Sequence, residues 1–247
     1  MARYRKPCYF CGNPSTSIEH APPRSMFKGF DCDSITAPAC SLHNTEKSGN
    51  DQVFINAFIY SLMSYKKDFH IAFHPDIEKS LSLFSQNLHY SKNRIKNVNV
   101  IDDQSFVQQK LAELTHVQGN PKDWIIQITA VLVWDTIKYY EKDIDWNNSI
   151  FYSNNWLPST KDQYVPFERI KEIDIREQNL RSLEKTVTWK QGWTSRPKPY
   201  PKQLYEFYLS FNSDTNEVIF KHCFYGKFEF LVINEMPEDV IKILKSN

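Results

Sequence analysis

Two closely spaced pairs of metal-ligand residues near the beginning of the chain constrain its fold more than any other feature. Cys8 and Cys11 are separated by two residues, and so are Cys40 and His43. A two-residue spacer lets both side chains of a pair turn toward one ion, and zinc accepts three thiolates and one imidazole in tetrahedral geometry. The alternative, four unrelated residues, requires two correctly spaced pairs to arise by chance. We therefore predict that these four residues hold a structural zinc ion.

The distribution of the cysteines also favours a metal site over a disulfide framework. The chain has five cysteines, an odd number, and four of them lie within the first forty residues. A secreted disulfide framework normally spreads an even number along the whole chain. We expect Cys32, which stands between two aspartates, to be a free thiol in a loop, and Cys223 to be a small core residue in a strand.

The composition predicts a folded chain without a strong charge bias. Of the 247 residues 41% are hydrophobic, and 30 basic against 29 acidic residues give a net charge of +1. Any nucleic-acid-binding surface must therefore be local. The basic start is not followed by an apolar run of signal-peptide length, and the longest apolar stretch, 124–134, is too short to cross a bilayer. We expect a cytoplasmic protein that does not insert into a membrane.

Three regions with different patterns predict an α+β fold. Residues 1–51 hold most of the cysteines and many turn formers, which indicates a minidomain organised by a metal ion. Residues 52–149 form a helical region and residues 150–247 a β-rich region, because apolar side chains recur at helical spacing in the first and alternate in the second.

Within these regions, individual elements can be predicted from their periodicity. Four segments have helical patterns: 51–70, 76–88, 103–114 and, most clearly, 121–143. The β-rich region predicts a hairpin of 205–211 and 217–220, a third strand at 228–233 and a closing helix at 237–244.

The residues between and after the two ligand pairs carry a further pattern. Glu19-His20-Ala21-Pro22-Pro23-Arg24 lies between the pairs, and Asn44 directly follows the second. Here the chain resembles the HNH, or ββα-metal, endonucleases, whose pattern is a cysteine pair, an acid–histidine step before a proline-containing turn, and a second pair leading into a helix that opens with Asn or His and carries a Lys. The resemblance covers about residues 8–54. It implies a treble-clef-like ββα-metal module that hydrolyses phosphodiester bonds.

The chemistry of such a reaction suggests a role for each residue. Hydrolysis requires a base to activate water, a divalent cation to stabilise charge on the phosphate, and donors to position the backbone. The imidazole of His20 exchanges protons near neutral pH and can serve as the base. Asn44 offers a hard oxygen suited to Mg²⁺ or Mn²⁺, and the resemblance implies that it occupies the position of the final H of the family name. Glu19 either ligates the same ion or orients the site.

Three charged residues extend this predicted site. Lys47 and Arg24 are candidates for phosphate contacts because both bring positive charge near the scissile group. If a helix begins near His43, Asp51 shares a face with Asn44 and is a candidate second ligand of the catalytic ion. A solvated carboxylate or a helix cap is the alternative for Asp51.

One position departs from the family pattern. The Asn in the middle of the HNH pattern normally lies about five residues before the second zinc pair, where this chain has Ile35. The loop that this Asn braces must be held by another group, and Asp33 is the nearest candidate. Two hypotheses follow: an active endonuclease, or a catalytically degenerate zinc module that binds nucleic acid or a protein without cleavage.

The expected partners follow from the same resemblance. DNA is the expected substrate, with RNA left open, and residues 52–247 would recognise a protein partner or an activating signal. A homodimer is an open alternative to a monomer. Small HNH proteins of this kind often belong to restriction or anti-phage defence, which the resemblance alone implies.

A basic and aromatic segment at 181–202 admits two interpretations. It carries six basic residues against one acid, with Trp189, Trp193 and Tyr200 interleaved. Such a segment could extend a nucleic-acid surface, because basic groups attract phosphates and rings stack on unpaired bases. It could also be an exposed connection whose rings fold back onto the core. We favour the second interpretation, because nothing in the sequence holds these residues on one surface.

Overall fold

The computed structural model describes residues 6–44, 51–52, 54–56, 58–59, 62, 72–91, 121–137, 144–153, 190–191, 198–212, 215–226 and 228–246. These residues form a mixed α/β structure with a small N-terminal hairpin, a helical middle and a β-rich C-terminal part. The predicted helix at 103–114 lies outside the described residues.

The N-terminal hairpin consists of two antiparallel strands, β1 (Ser17–Ala21) and β2 (Ile35–Ala39). Successive side chains of a strand point to opposite faces. One face of this hairpin is buried, and the other carries Ile18, which is 61% exposed. The buried face is formed by Glu19, Ala21, Ile35, Ala37 and Ala39. The hairpin therefore packs on the core with one side and presents the other to solvent.

The helical middle is arranged around one central helix. The described residues between 51 and 62 are helical, and Phe54, Phe58 and Leu62 are buried as their spacing predicts. Helix α1 (Pro75–Ser91) covers the pattern predicted at 76–88. Helix α2 (Pro121–Ile137) covers the described part of the pattern predicted at 121–143.

Helix α2 is buried on nearly every side, which explains why its sequence is apolar all round rather than along one stripe. It contacts β1 and β2 of the hairpin, and it also contacts the C-terminal sheet and the last helix. The hairpin and the sheet are therefore joined through this helix.

The C-terminal part is a five-stranded antiparallel sheet. Its long strands are β5 (Tyr205–Asn212), β6 (Glu217–Phe224) and β7 (Phe228–Glu235), which confirm the hairpin and third strand predicted from alternation. The short strands β3 (Ile150–Ser153) and β4 (Lys190–Gln191) add to its edges, so that the order is β3-β7-β6-β5-β4. The closing helix α3 (Glu238–Ser246) follows, as predicted.

Aromatic rings connect these parts in the interior. Phe58 packs on Phe224 and Phe228 of the sheet, with ring centroids 5.3 and 4.6 Å apart. Trp124 of α2 stacks on Phe54 at 4.8 Å. The buried hydrophobic cluster draws residues from all three predicted regions, 1–51, 52–149 and 150–247. One continuous core thus supports the N-terminal residues where the candidate site lies.

Candidate metal centre and the hairpin beside it

The first ligand pair sits on a tight backbone loop. An isolated bridge joins Pro7 to Pro14, and the Cys8 amide donates to the Asn13 carbonyl at 2.7 Å. Gly12 closes the loop with φ +71° and donates to the Cys8 carbonyl at 3.0 Å. A positive φ is the conformation that glycine adopts most readily, and here it lets the chain turn back so that both thiols lie on one side.

The second ligand pair begins where β2 ends. Cys40 directly follows the last residue of β2, and His43 lies in the turn after it. The Tyr9 amide donates to the Pro38 carbonyl at 2.8 Å, which ties the first loop to this strand. The ring of His43 packs on Phe10, with centroids 4.6 Å apart. Backbone and ring contacts therefore bring the two ligand pairs together.

The four predicted ligands form one compact group. Their ligand atoms all lie within 4.8 Å of one another. The Cys11 and Cys40 sulfurs are 3.7 Å apart, and the Nδ1 of His43 lies 3.7 Å from Cys8 Sγ and 3.3 Å from Cys40 Sγ. A tetrahedral zinc site has edges of about 3.8 Å between two sulfurs and about 3.6 Å between sulfur and nitrogen. These residues could therefore hold a structural metal ion such as zinc.

Cys8, Cys11 and Cys40 are free cysteines and form no disulfide at this site. A sulfur–sulfur bond is about 2.05 Å long, far shorter than the separation of Cys11 and Cys40. Cys32 is a free, half-exposed thiol outside this group, as expected. Among the residues that the structure describes, no other group of three or more His, Cys, Asp or Glu side chains is close enough to hold an ion.

The surroundings of Cys11 and Cys40 shift the pKa values of their thiols in opposite directions. Burial raises the pKa of Cys11 to about 11, and the neighbouring Cys40 and Cys8 thiols add to this effect. Burial also acts against ionisation of Cys40, but hydrogen bonds from the backbone of His43 and Leu42 and from the other two thiols outweigh it and lower its pKa. Backbone donors aimed at Cys40 are therefore arranged to stabilise a thiolate.

Glu19 and His20 lie on opposite faces of β1 because they are consecutive residues of one strand. Glu19 is 3% exposed and lies on the core side, whereas His20 shares the other face with Ile18. The Nδ1 atom of His20 is itself buried. The two side chains thus approach the site from different sides of the hairpin.

Asn44 is attached to β1, the strand that carries His20. Its Nδ2 donates to the carbonyl oxygen of Ile18 at 3.2 Å, which anchors the side chain to β1 two residues before His20. Arg24 is exposed in a short 3₁₀ helix of Arg24–Phe27 that follows His20. Lys47, the other predicted phosphate contact, lies outside the described residues.

Asp51 has a partner that the sequence did not suggest. Its Oδ1 accepts a hydrogen bond from the indole Nε1 of Trp124 at 2.6 Å. This bond satisfies the only polar atom of a buried tryptophan and attaches the helical residues after 51 to α2. Asp51 therefore has a role in the fold, whether or not it also ligates an ion as predicted.

The charges of Glu19 and Asp51 both act on the Tyr9 hydroxyl. Burial raises its pKa well above the usual value, and the charges of Glu19 and Asp51 contribute to the rise. Its hydroxyl donates to the carbonyl oxygen of His43 at 3.5 Å. Sequence reasoning did not single out Tyr9, although it lies between two predicted ligands.

The loop between β1 and β2 is held by residues from the far end of the chain. The Tyr200 hydroxyl donates to the Ala21 carbonyl at 2.9 Å and accepts from the Ile35 amide at 2.7 Å. Asp33, the expected brace, instead donates its amide to the Lys198 carbonyl at 2.8 Å. The sequence marked Tyr200 only as part of the segment 181–202. Of the described residues of this segment, Lys198 and Tyr200 contact the loop and Lys190–Gln191 form β4, whereas Trp189 and Trp193 lie outside the described residues.

Comparison with known proteins adds no relative. No family model, no curated protein and no solved structure matches this chain. Among the described residues, no helix is both long and apolar enough to span a membrane.

Proposed function

We propose that this chain is a metal-dependent endonuclease of the HNH kind, which hydrolyses phosphodiester bonds of DNA or RNA. The Cys8, Cys11, Cys40 and His43 group would hold a structural zinc ion beside the reacting residues. The observation that carries the proposal is the hydrogen bond from Asn44 to the backbone carbonyl of Ile18, because it attaches Asn44 to β1 two residues before His20.

The spacing between Ile18, to which Asn44 is attached, and His20 suits a phosphate group. Residues two apart on a strand share a face and are separated by roughly 6.6 Å. We propose that phosphate binds at the patch of β1 that these two residues define. A phosphodiester lying across this patch would meet a base at one end and a hard oxygen ligand at the other.

Each residue then has a proposed role. His20 takes the proton from the attacking water, and the side-chain oxygen of Asn44 would hold Mg²⁺ or Mn²⁺. When bound, the cation would stabilise negative charge on the phosphate and the leaving oxygen. Arg24 is exposed and contacts the phosphate backbone, and Lys47 is proposed for the same role. Glu19 acts from the buried side of β1, as an orienting charge and not as a ligand.

Plasmid cleavage with purified protein tests this proposal. With Mg²⁺ or Mn²⁺ supplied, we expect wild type to cut and His20→Ala to lose at least about 100-fold in rate, because general-base catalysis contributes roughly 10²–10⁴-fold. His74→Ala is the matched control, since His74 is an exposed histidine at the start of α1. Both variants should contain as much zinc as wild type. Equal cleavage by wild type and His20→Ala would contradict the assignment of the base.

A second candidate function is a zinc module that binds nucleic acid or a protein partner without cleavage. Ile35 favours it, because this position of the HNH pattern normally holds Asn. The two candidates differ in one experiment: a non-cleaving module would retard DNA in a salt-dependent manner and leave plasmid intact with either cation. In both cases we propose that residues 52–247 contact the partner or activating signal. A homodimer would bring two such sites together. A role in restriction or anti-phage defence rests on the resemblance alone.

A further inference from the structure

The loop at 22–34 connects the two strands that carry the candidate site. It begins after Ala21, which is bonded directly to His20, and it ends before Ile35, the first residue of β2. Arg24 lies within it. Whatever holds the two ends of this loop also holds the backbone on which His20 and Arg24 are mounted.

One hydroxyl bridges the two ends. Tyr200 donates to the carbonyl oxygen of Ala21 and accepts from the amide of Ile35, at 2.9 and 2.7 Å. A hydroxyl has one hydrogen and two lone pairs, so it can make both bonds at once. The ring of Tyr200 stacks on Phe27 of the loop, with centroids 4.3 Å apart and planes inclined by 21°.

A second contact from the same segment holds the end of the loop. The backbone carbonyl of Lys198 accepts a hydrogen bond from the Asp33 amide at 2.8 Å. The side-chain Nζ of Lys198 forms an ion pair with the Asp31 carboxylate at 2.7 Å. This ion pair is largely exposed, with side-chain exposures of 53% and 83%, so it adds little. The backbone bond and the Tyr200 hydroxyl are the contacts that define the loop geometry.

Tyr200 is itself attached to the C-terminal sheet. The amides of Leu204 and Tyr205 donate to the Pro201 carbonyl at 2.8 and 3.1 Å, which forms a turn directly before β5. The rings of Tyr200 and Tyr205 meet edge to face at 5.7 Å. A shift of this end of β5 would therefore be passed through Tyr200 to the loop.

We propose that Tyr200 is a positioning residue for the candidate nuclease site, through which the C-terminal sheet sets the backbone of His20 and Arg24. This inference rests on the proposed function. Its physical basis is that a displacement of about 1 Å in a catalytic group lowers a rate by roughly 100-fold. The amide of Ile35, at the position where the HNH pattern departs, is satisfied by this distant hydroxyl instead of by a neighbouring side chain.

Tyr200→Phe tests the inference because it removes the hydroxyl and keeps the ring on Phe27. We expect kcat per folded molecule to fall 10- to 100-fold, with KM changed less than threefold and the zinc content unchanged. The control is Tyr208→Phe on β5, a half-buried tyrosine that should leave kcat within twofold of wild type. Unchanged kcat in Tyr200→Phe would overturn the positioning role while leaving the nuclease proposal intact.

Hydrogen exchange of the Ile35 amide separates this inference from the proposed function. We expect exchange to accelerate at least tenfold in Tyr200→Phe and to remain at the wild-type rate in Tyr208→Phe, whether or not the protein cleaves nucleic acid. Unchanged exchange at Ile35 would overturn the bridge itself. If Tyr200→Phe fails to fold, Phe27→Leu, which removes the stacking partner and keeps the hydroxyl, takes its place with the same expected direction.

Discussion

At the scale of single residues, His222 shows how the core accommodates a titratable group. It is fully buried, and its Nε2 and Nδ1 lie 2.9 Å from the hydroxyls of Thr129 and Tyr205. The Thr129 hydroxyl donates to the Ile125 carbonyl at 2.8 Å, so it accepts from Nε2–H, and Nδ1 accepts from Tyr205. Both ring nitrogens are therefore satisfied by a neutral imidazole, and burial lowers the pKa of His222 to about 3.

This arrangement predicts a loss of stability in acid. The unfolded chain binds a proton at His222 below about pH 6.5, whereas the folded chain does not until about pH 3. The free energy of unfolding should therefore fall as the pH decreases through this window, by up to about 1.4 kcal/mol per pH unit from this group. Urea titrations at several pH values would measure the slope. His222→Gln keeps one donor and one acceptor, and its free energy of unfolding should depend less on pH than that of wild type. Equal pH dependence in the two proteins would contradict the prediction.

At the scale of elements, the loop at 22–34 is held from two sides. Tyr200 and Lys198 hold its ends, and α1 holds its middle, where Lys79 donates to the Gly29 carbonyl at 2.6 Å and lies 4.3 Å from the centroid of the Phe30 ring. Gly29 has φ +82°, and a Cβ at this position would come within 2.8 Å of Leu83. A side chain at this position would displace the end of the Leu83 side chain, in addition to the strain of a positive φ.

Gly29→Ala should therefore destabilise the protein more than a change of conformation alone would. Gly226 is the matched control, because it also has a positive φ of +63° but no atom within 4 Å of the point that a Cβ would occupy. We expect roughly 1 kcal/mol of destabilisation for Gly226→Ala and up to about 1 kcal/mol more for Gly29→Ala, because the end of the Leu83 side chain must move in addition to the backbone strain. Chemical denaturation would measure the free energy of unfolding of both variants. Equal decreases would show that Leu83 moves aside without a measurable effect on stability.

At the scale of the whole molecule, the metal centre and the sheet share one core. The hydrophobic cluster includes Cys8 and Cys40 as well as the buried residues of α2 and of β5–β7. Helix α2 joins them, since it contacts the hairpin on β1 and β2 and the sheet on β7. A zinc ion held by Cys8, Cys11, Cys40 and His43 would add its binding free energy to folding, and the shared core would couple that stabilisation to the whole chain.

Removal of zinc should therefore lower the unfolding temperature of the whole chain in one transition. We expect calorimetry of the zinc-loaded protein to show a single peak that a chelator moves to lower temperature without splitting. Far-ultraviolet circular dichroism and tryptophan fluorescence should follow the same curve. A chelator-sensitive transition that precedes a separate unfolding of the sheet would show instead that the N-terminal residues unfold independently.

Features with a local signal could be predicted from the sequence alone. The four candidate metal ligands were identifiable because each pair is separated by two residues, and the hairpin of β5 and β6 because apolar side chains alternate along the chain. Asp51, Asn44 and Tyr200 differ from these, because the partner of each lies far away in the chain. Trp124 is 73 residues from Asp51, and Ala21 is 179 residues from Tyr200.

Such hydrogen bonds leave no periodicity or spacing in the sequence, since any of many polar side chains could have supplied them. These contacts are visible in the three-dimensional structure alone: Tyr200, and not Asp33, bridges the ends of the loop at 22–34, and Asn44 is bonded to Ile18, two residues before His20. The candidate metal ligands can thus be recognised from their local spacing. The groups that position His20 and Asn44 depend instead on how distant parts of the chain pack together.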